Sequence, residues 1–494
     1  MPLRIALHRF ESDPSLPQRD GVNLAHTEIT RLLATQTDPA LDIRFHDFDR
    51  LLRSDAQARE ALTGVDCLLC NVGPHAHYYH ALRERLGLNF RIVRDIKTAL
   101  WSSYLLQECL CAPLLRPGDA LLATSHYSRV LVRHLFPYLC SHPVHLFEPV
   151  LAGFGEMPAS VTPQLSCDDV ITLGYVGRLS EDKNFPQVID LLIALNREEP
   201  GRYRLVACGA LHSASCAPER ISGRLLAETG RDDLFRYLPP VPHEQVLPLL
   251  RGFDYFLFFS TSNLEVLGRV LIEAAAAGVP VLAANHAAAS ELLPSQSLLD
   301  VHYTANNPFL AHFDSPMGQV DLAQAQAALR RRVQLPPPDA PQVNRADRLT
   351  ALLRDPRTPE DRAGGLDSLP PAQRRFVRRL HWDGMPDFAS PAAALTAIAC
   401  LQDWFCGLNG RNSPDVDTRF EELERRSRFP DRTRRFIDKH RQTRGDFTNL
   451  GGIDIELCNL VDFHPRFWLV ADSAVGNDRD PTRPQQHDAH DLVV

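Results

Sequence analysis

Two glutamates with seven residues between them, Glu265 and Glu273, lie in a stretch whose pattern strongly limits the fold of this chain. Before them, Asp254 to Ser260 is an apolar run that predicts a buried strand. After Glu265, Val270 to Ala277 predicts a helix and Val279 to Ala284 a second buried strand. Strand, loop, helix and strand in this order are typical of an α/β protein with a parallel sheet.

The loop before the predicted helix is suited to binding an anion. Gly268 lies where the loop enters the helix, so the free N–H groups of the next residues, Arg269 and Val270, can point at a negative charge. Glu265 precedes the helix, and Glu273 lies one to two turns into it, about 8 Å along the axis from the helix start at ~1.5 Å per residue. Two carboxylates at this separation can accept hydrogen bonds from hydroxyls at two ends of one ligand, with its phosphates between them. A sugar nucleotide has this layout.

A second motif lies upstream of the glutamates. Ile171 to Val176 predicts a strand, and a helix is predicted to start near Pro186. Arg178 follows the strand and Lys183 directly precedes the helix, so both are expected at the carboxyl ends of the strands, where α/β sheets bind ligands. A guanidinium fork and a compact ammonium group both suit phosphate oxygens.

These segments resemble retaining glycosyltransferases of the GT-B fold, especially glycosyltransferase family 4 with its E-x7-E motif. The upstream segment is similar to the Gly-Arg…Lys-Asn element of that family. Leu267 departs from the pattern, because an aromatic residue is more usual there. The matching residues of the downstream segment are Glu265, Leu267, Gly268, Glu273, Ala274, Gly278, Pro280 and Val281, followed by Ser290, Glu291 and Leu292.

The resemblance implies an α/β chain of GT-B fold, with two Rossmann-like, doubly wound parallel-sheet domains facing a cleft. The donor is then expected on the second domain and the acceptor on the first. The implied reaction moves a hexose-type sugar from a nucleotide diphosphate sugar to an acceptor, with retention and without a metal ion or other cofactor. The acceptor is left open between a glycan, a lipid-linked group, a protein and a small molecule.

The resemblance also implies roles for single residues. Arg178, Lys183 and the N–H groups that follow Gly268 would neutralise the departing diphosphate. Glu265 would orient hydroxyls of the donor sugar and Glu273 those of the ribose. A further glutamate of the motif, Glu291, would support the loop or the donor.

Strand and helix patterns divide the chain into five parts. Residues 1–155 and 165–335 each alternate strands and helices, which predicts the two sheet domains. Proline-rich and polar stretches mark 336–371 as a linker. Residues 372–472 are predicted to be mainly helical, with no motif that names a role, and the polar tail 473–494 is expected to be disordered.

Composition excludes several classes of protein. A net charge of −8 gives no reason to expect nucleic acid as a partner. The eleven cysteines lack the spacing of a zinc site, and no metal site is predicted. We expect a cytoplasmic protein, since the start does not resemble a signal peptide and no stretch approaches the ~18 apolar residues of a membrane span. Arginines in residues 417–444 leave a peripheral membrane contact open.

The first half of the chain offers weaker candidates. The resemblance favours His75 as a histidine that faces the donor sugar, ahead of His77. Gly21 takes the place of a glycine-rich turn near the donor phosphates, although relatives usually have two glycines there. Four further residues follow predicted strands and are candidates for acceptor contacts: Asp95, Lys97, Ser125 and His126.

Two other interpretations remain open from the sequence. One is a different GT-B reaction, such as that of a phosphorylase or an epimerase, which the order of the two motifs disfavours. The other is a catalytically silent protein that binds sugar nucleotides or acts as a scaffold. A dehydrogenase is disfavoured because no G-x-G-x-x-G sequence follows a predicted strand.

Overall fold

The structure is a computed structural model that describes most of the two predicted sheet domains and part of the C-terminal segment. The predicted tail, 473–494, and the junction between the sheet domains fall outside the described residues. The described residues are 2–9, 21–97, 102–147, 170–304, 316–331, 346–355, 364–383, 388, 390–408, 416–427, 430–431, 433–434, 437–438, 458–463 and 466–470.

The first domain is built on a parallel sheet with strand order β2-β1-β3-β4-β5-β6. Its strands are β1 (Leu3–His8), β2 (Leu41–His46), β3 (Cys67–Cys70), β4 (Arg91–Ile96), β5 (Ala120–Ala123) and β6 (Val144–Leu146). Helices return the chain between parallel strands, so the carboxyl ends of all these strands share one edge. The helices are α1 (Gly21–Ala34), α2 (Phe48–Arg53), α3 (Asp55–Leu62), α4 (Ala76–Arg85), α5 (Ser102–Cys111) and α6 (His126–Leu135).

The second domain repeats this plan with the order β12-β11-β10-β7-β8-β9. Its strands are β7 (Ile171–Val176), β8 (Tyr203–Cys208), β9 (Phe235–Leu238), β10 (Tyr255–Phe258), β11 (Val281–Ala284) and β12 (Leu298–Leu299). The helices are α7 (Phe185–Glu198), α8 (Pro218–Thr229), α9 (Val246–Leu250), α10 (Arg269–Ala277), α11 (Ala289–Leu292) and α12 (Leu322–Arg330). An antiparallel pair, β13 (Val301–Tyr303) and β14 (Gly318–Val320), flanks the sheet. The predicted fold class, two Rossmann-like parallel sheets, is confirmed.

Part of the predicted linker belongs to the first domain. Within 336–371 the structure has a helix, α13 (Ala346–Arg354). Its apolar face buries Leu349, Leu352 and Leu353 in the same core as Ile5 of β1. Leucines at this helical spacing form a stripe that needs a partner surface, and the sheet supplies it. The linker prediction is therefore corrected for these residues.

The C-terminal segment is mainly helical, as predicted, but it also contains a small sheet. Its elements are α14 (Pro371–Arg379), β15 (Leu380–Asp383), α15 (Pro391–Leu408), α16 (Val416–Arg426) and β16 (Arg466–Leu469), with β15 and β16 paired antiparallel. Phe376 of α14 packs on the rings of His286 and Tyr303 in the second domain. Since α14 also contacts α6 of the first domain, it braces both halves.

By length and composition alone, α15 is the one described helix that could cross a membrane. The expectation that no stretch reaches this length is therefore wrong for α15. In the structure the helix contacts α2, α4 and α5 of the first domain. Ile398, Leu401 and Phe405 are among the residues that it buries there.

Candidate sugar-nucleotide site

The loop that carries Arg178 and Lys183 begins at the end of β7, where its backbone lies very close to the backbone at the end of β8. Gly177 and Gly209 follow β7 and β8, with φ values of +152° and +154°. A Cβ atom at Gly209 would lie 1.8 Å from the carbonyl oxygen of Gly177, so only glycine fits there. Beyond this point, Arg178 donates to the buried carboxylate of Asp182 over 3.0 Å. The guanidinium is thereby held near the carboxyl edge of the second sheet.

Asn184 connects this loop, through hydrogen bonds, to the loop that carries Glu265. It has a left-handed backbone conformation, with φ of +54°, and its side chain is buried. Its Nδ2 group lies 3.0 Å from the carbonyl oxygen of Phe259, 2.9 Å from Thr261 Oγ1 and 2.9 Å from the carbonyl oxygen of Gly318. The position of Lys183, the preceding residue, is therefore fixed relative to Glu265.

Lys183 and Glu265 meet directly, although 82 residues separate them. The Nζ atom of Lys183 lies 2.6 Å from Oε2 of Glu265, and Ser260 donates to the same oxygen over 3.2 Å. Burial would raise the pKa of Glu265, but Lys183 beside it holds that pKa below its usual value. No described residue hydrogen-bonds the other oxygen, Oε1, which is therefore available to a ligand.

Glu273 is presented in the same manner. Its Oε1 accepts hydrogen bonds of 2.9 Å from Nε of Arg269 and of 2.9 Å from Nε2 of His243. No described residue bonds its Oε2. Each glutamate of the motif is thus fixed through one oxygen, and its other oxygen has no hydrogen bond to a described residue.

Arg269 also links the two domains. Its two terminal nitrogens bond the carboxylate of Glu28 on α1 over 2.6 Å and 2.7 Å. Glu28 is almost completely buried, so this bidentate pair is largely removed from water. Neither Glu28 nor His243 was singled out from the sequence, because each lies far along the chain from the residues that it orients.

The beginning of α10 has the predicted form. Gly268 precedes the helix with a φ of +77°, and a Cβ atom there would lie 3.0 Å from Leu271 Cδ1 and 3.1 Å from Phe258 Cζ. Glycine is favoured for both reasons. Arg269 and Val270 open the helix, so their N–H groups have no partner within it.

His286 supports the loop of Glu265 and was not identified from the sequence. Its Nε2 atom lies 3.1 Å from the carbonyl oxygen of Ser262, and its Nδ1 atom lies 2.9 Å from the hydroxyl oxygen of Tyr303. Burial lowers the pKa of His286 to about 4, so the ring is neutral at neutral pH.

Glu291 has a different place from the predicted one. Its two carboxylate oxygens accept the backbone N–H groups of His126 and Tyr127 over 2.8 Å and 2.6 Å. Glu291 therefore accepts hydrogen bonds from N–H groups in the first turn of α6, in the opposite domain, which have no partner within the helix. Ser125 makes a second bond across the cleft, from its Oγ to the carbonyl oxygen of Val266 over 2.7 Å. These contacts join the domains, and the predicted support of the donor by Glu291 stays a prediction.

His75 has a buried side chain that packs against the rings of Phe48, Tyr78 and Phe405, the last from α15. The ring thus belongs to an aromatic core, and its contact with the donor sugar stays a prediction. Gly21 is the first residue of α1, and its place near the donor phosphates stays a prediction as well.

No group of three or more potential metal ligands occurs among the described residues. The arrangement at the second sheet instead combines two cations, a helix N-terminus and two carboxylates. Chemically, it can neutralise an anionic group and accept hydrogen bonds from hydroxyls on either side of it.

Comparison with known proteins agrees with this description. Residues 163–297 match the family model described as glycosyl transferases group 1. The matched range contains Arg178, Lys183, Glu265, Glu273 and Glu291, and none of the first sheet. The match is therefore confined to the second sheet and to the loops that carry these residues.

Individual relatives match only in part. The chain is 35% identical over 115 residues to the D-inositol 3-phosphate glycosyltransferase of Corynebacterium efficiens, which covers 23% of this chain and 26% of that protein. It is 32% identical over 181 residues to the protein of the same name from Streptomyces scabiei, covering 35% and 40%. A solved structure, Anabaena Alr3699/HepE in complex with UDP, aligns with 68% of this chain and 92% of its own at 14% identity and a TM-score of 0.46.

Proposed function

We propose that this protein is a retaining glycosyltransferase that moves a hexose-type sugar from a nucleotide diphosphate sugar to an acceptor hydroxyl group. The observation that carries the proposal is the contact between Lys183 and Glu265, 2.6 Å from Nζ to Oε2. It joins the cationic motif to the first glutamate of the E-x7-E motif. The match of this region to glycosyl transferases group 1 supports the same assignment.

The leaving group would be stabilised by fixed charges and dipoles. Arg178, Lys183 and the N–H groups at the start of α10 are candidates to bind the diphosphate, whose negative charge grows as the glycosidic bond breaks. Asp182 holds the side chain of Arg178 and Glu265 holds that of Lys183 before the donor arrives, so little reorganisation is needed. Preorganised charge of this kind is commonly the largest contribution to such a reaction.

The two glutamates would bind opposite ends of the donor. In this proposal, Oε1 of Glu265 accepts a hydroxyl of the sugar, while Oε2 of Glu273 accepts a hydroxyl of the ribose. Both oxygens lack bonds to described residues, whereas the second oxygen of each carboxylate is fixed. Fixing a carboxylate in this way limits its rotation and favours a defined donor orientation.

The proposed reaction needs no divalent ion and no cofactor other than the donor. We expect transfer or donor hydrolysis to continue in EDTA, because cations and a helix terminus offset the diphosphate charge. Inactivation by EDTA that only added Mg²⁺ or Mn²⁺ reverses would contradict metal independence. NMR of the product, showing the same anomeric configuration as the donor, would support retention, and the opposite configuration would refute it.

A small, hydroxyl-rich acceptor is the class that we propose, since the curated relatives are named for D-inositol 3-phosphate. The donor is tested first, by thermal unfolding with UDP, GDP, ADP and their sugars. A ligand that binds the native state raises the unfolding midpoint. The sugar nucleotide with the largest shift is then incubated with the protein, and free nucleotide is measured. Binding without nucleotide release would indicate a silent sugar-nucleotide-binding protein.

A further inference from the structure

The carboxyl edge of the first sheet contains a small group of buried polar side chains, Asp95, Lys97 and Thr124. Asp95 lies in β4, Lys97 directly follows it, and Thr124 directly follows β5. Because Ile96 pairs with Ala123, the next residue of each strand, Lys97 and Thr124, should lie about one strand spacing apart, ~4.8 Å. We call these three residues the strand-edge cluster.

The cluster belongs to the edge that α1 connects to the donor domain. His26 of α1 places Nδ1 3.6 Å from Oδ2 of Asp95. Two residues further along the same helix, Glu28 binds Arg269 at the start of α10. One helix therefore contacts both the strand-edge cluster and the proposed donor site, so a ligand at the cluster would be close to the cleft.

The charged members of the cluster have few partners. Nζ of Lys97 lies 2.9 Å from Oδ1 of Asp95, and their side chains are only 5% and 0% exposed. Neither makes a hydrogen bond to any other residue that the structure describes. An ammonium group can donate three hydrogen bonds and a carboxylate can accept about four. The Oγ1 atom of Thr124 is also buried, without a partner among the described residues.

Another buried ion pair in the same domain shows what a purely structural pair looks like. Arg83 binds both oxygens of Asp119, over 2.7 Å and 2.9 Å, and also bonds the carbonyl oxygens of Phe90 and Leu114 and Nδ1 of His80, so that of its nitrogens only Nε lacks a hydrogen bond to a described residue. The backbone N–H groups of Ile92 and Arg116 donate to the same carboxylate. Buried charges normally have such partners, since leaving them unsatisfied is costly. No described residue supplies such partners to the strand-edge cluster, so its polar atoms can hydrogen-bond a ligand.

The charges of the cluster nearly cancel. Lys97 and Asp95 neutralise each other through their ion pair. Burial, followed by Lys97 and His8, lowers the pKa of the neighbouring His26 well below its usual value, so this ring adds no charge. The site therefore offers hydrogen-bond donors and acceptors without the excess positive charge that a phosphate group would need.

We infer that the strand-edge cluster binds the hydroxyl groups of an uncharged polyol acceptor, such as a free sugar or cyclitol. Lys97 would donate to one hydroxyl, and Asp95 and Thr124 would accept from others. The inference rests on the proposed glycosyl transfer and makes its acceptor more specific. It differs from what the relatives' name suggests, because they are named for a phosphorylated acceptor.

The test uses the full chain and the donor identified by thermal unfolding. Glucose and myo-inositol are the uncharged probes, and glucose 6-phosphate and inositol 3-phosphate are their charged counterparts. We expect the uncharged probes to divert donor turnover from hydrolysis to transfer with a KM at least tenfold lower than that of the phosphates. Diversion by the phosphates alone, or by none of the four probes, would overturn the inference.

Variants connect that preference to the cluster. Asp95→Asn and Thr124→Val are expected to raise the acceptor KM at least tenfold and threefold, while the nucleotide-induced shift of the unfolding midpoint stays the same. The control is Ser297→Ala, which removes another buried hydroxyl without a described partner, in the second domain, and should leave both quantities unchanged. An unchanged acceptor KM in folded Thr124→Val would show that the edge holds water only and would refute the inference.

Failure of the underlying proposal looks different from failure of this inference. If the wild-type chain neither binds nor hydrolyses any sugar nucleotide, the glycosyltransferase assignment itself fails. If it does so but Asp95→Asn leaves the acceptor KM unchanged, only the acceptor site is wrong. A parallel loss of donor binding and thermal stability in Asp95→Asn would assign Asp95 a structural role, which also overturns the inference.

Discussion

The carboxyl edges of the two sheets are built from similar elements but present their polar groups differently. At the second sheet, Lys183 holds Glu265 through one oxygen, and Arg269 holds Glu273 in the same way. At the first sheet, Asp95 and Lys97 are buried and paired mainly with each other. In the proposed function, the second sheet binds a diphosphate, whose shape and charge are constant, so a few residues at fixed spacing suffice. Acceptors differ in shape, and the side chains proposed to bind one come from separate strands.

The largest expected effect concerns the cations of the second sheet. Arg178→Ala and Lys183→Ala should each reduce turnover by ~10²-fold or more, about 3 kcal/mol, because each removes a preorganised charge that stabilises the leaving diphosphate. Release of free nucleotide, measured on variants shown to be folded by circular dichroism, checks this. Arg251→Ala, at an exposed arginine of the same domain, is the control and should be near wild type. Near-normal rates for both variants would show that these cations of the second sheet do not stabilise the leaving diphosphate.

The bond between the halves should have the next largest effect. Glu28→Gln leaves Arg269 without its bidentate partner and should lower the free energy of unfolding by about 2 kcal/mol, since the pair is mostly buried. Urea unfolding measures the change. Glu228→Gln, which weakens the more exposed pair with Arg197, should lose less than about 1 kcal/mol. Equal losses in the two variants would mean that Glu28 does not join the domains strongly.

Replacing the two glutamates should affect different properties, nucleotide affinity in one case and turnover in the other. Glu273→Ala should weaken binding of the bare nucleotide about tenfold, ~1.4 kcal/mol, because Glu273 is expected to meet the ribose. Glu265→Ala should chiefly lower turnover, since Glu265 is expected to contact the sugar near the bond that breaks. Calorimetry with the nucleotide alone tests this. The assignment of the two ends fails if both variants lose equal nucleotide affinity.

The smallest effect is a pH dependence at the Lys183–Glu265 pair. The pKa of Glu265 is lower in the folded protein than its ordinary value of 4.5, so the ionised carboxylate stabilises the fold. This contribution is complete well above pH 4.5 and is lost as the pH falls through the folded pKa. The difference in unfolding free energy between wild type and Glu265→Gln should therefore shrink on acidification, by about 1 kcal/mol or less. A difference that stays constant, or grows, as the pH falls from 7 to 3 would contradict the depressed pKa.

Short-range patterns carried much of the correct prediction. The run from Tyr255 to Phe258 and the helix after Gly268 are visible in the sequence because strand and helix periodicities are local. The glycine before the helix and the spacing of the two glutamates could also be recognised from the sequence. The sequence did not reveal that His243 bonds Glu273 and that Glu28 bonds Arg269, because no local pattern records a contact between distant segments.

The tertiary contacts of His75 and Glu291 were not visible in the sequence. His75 follows a strand end, where ligands often bind, but α15 packs Phe405 against it. Glu291 follows the E-x7-E motif, yet the opposite domain supplies two N–H groups that bond both of its oxygens. In each case a distant part of the chain supplies contacts that no local pattern records.

The sequence alone determined the two parallel sheets, the position of the two motifs at the second sheet and the glycine at the start of α10. These features depend on apolar periodicity and on backbone conformations that few residues can adopt. Only the tertiary structure decided which oxygen of each glutamate is held, that α13 completes the first core, and that Asp95 and Lys97 are buried together. Those outcomes depend on which distant groups exclude water and offer hydrogen bonds, and a side chain's partner is fixed only when the whole chain has packed.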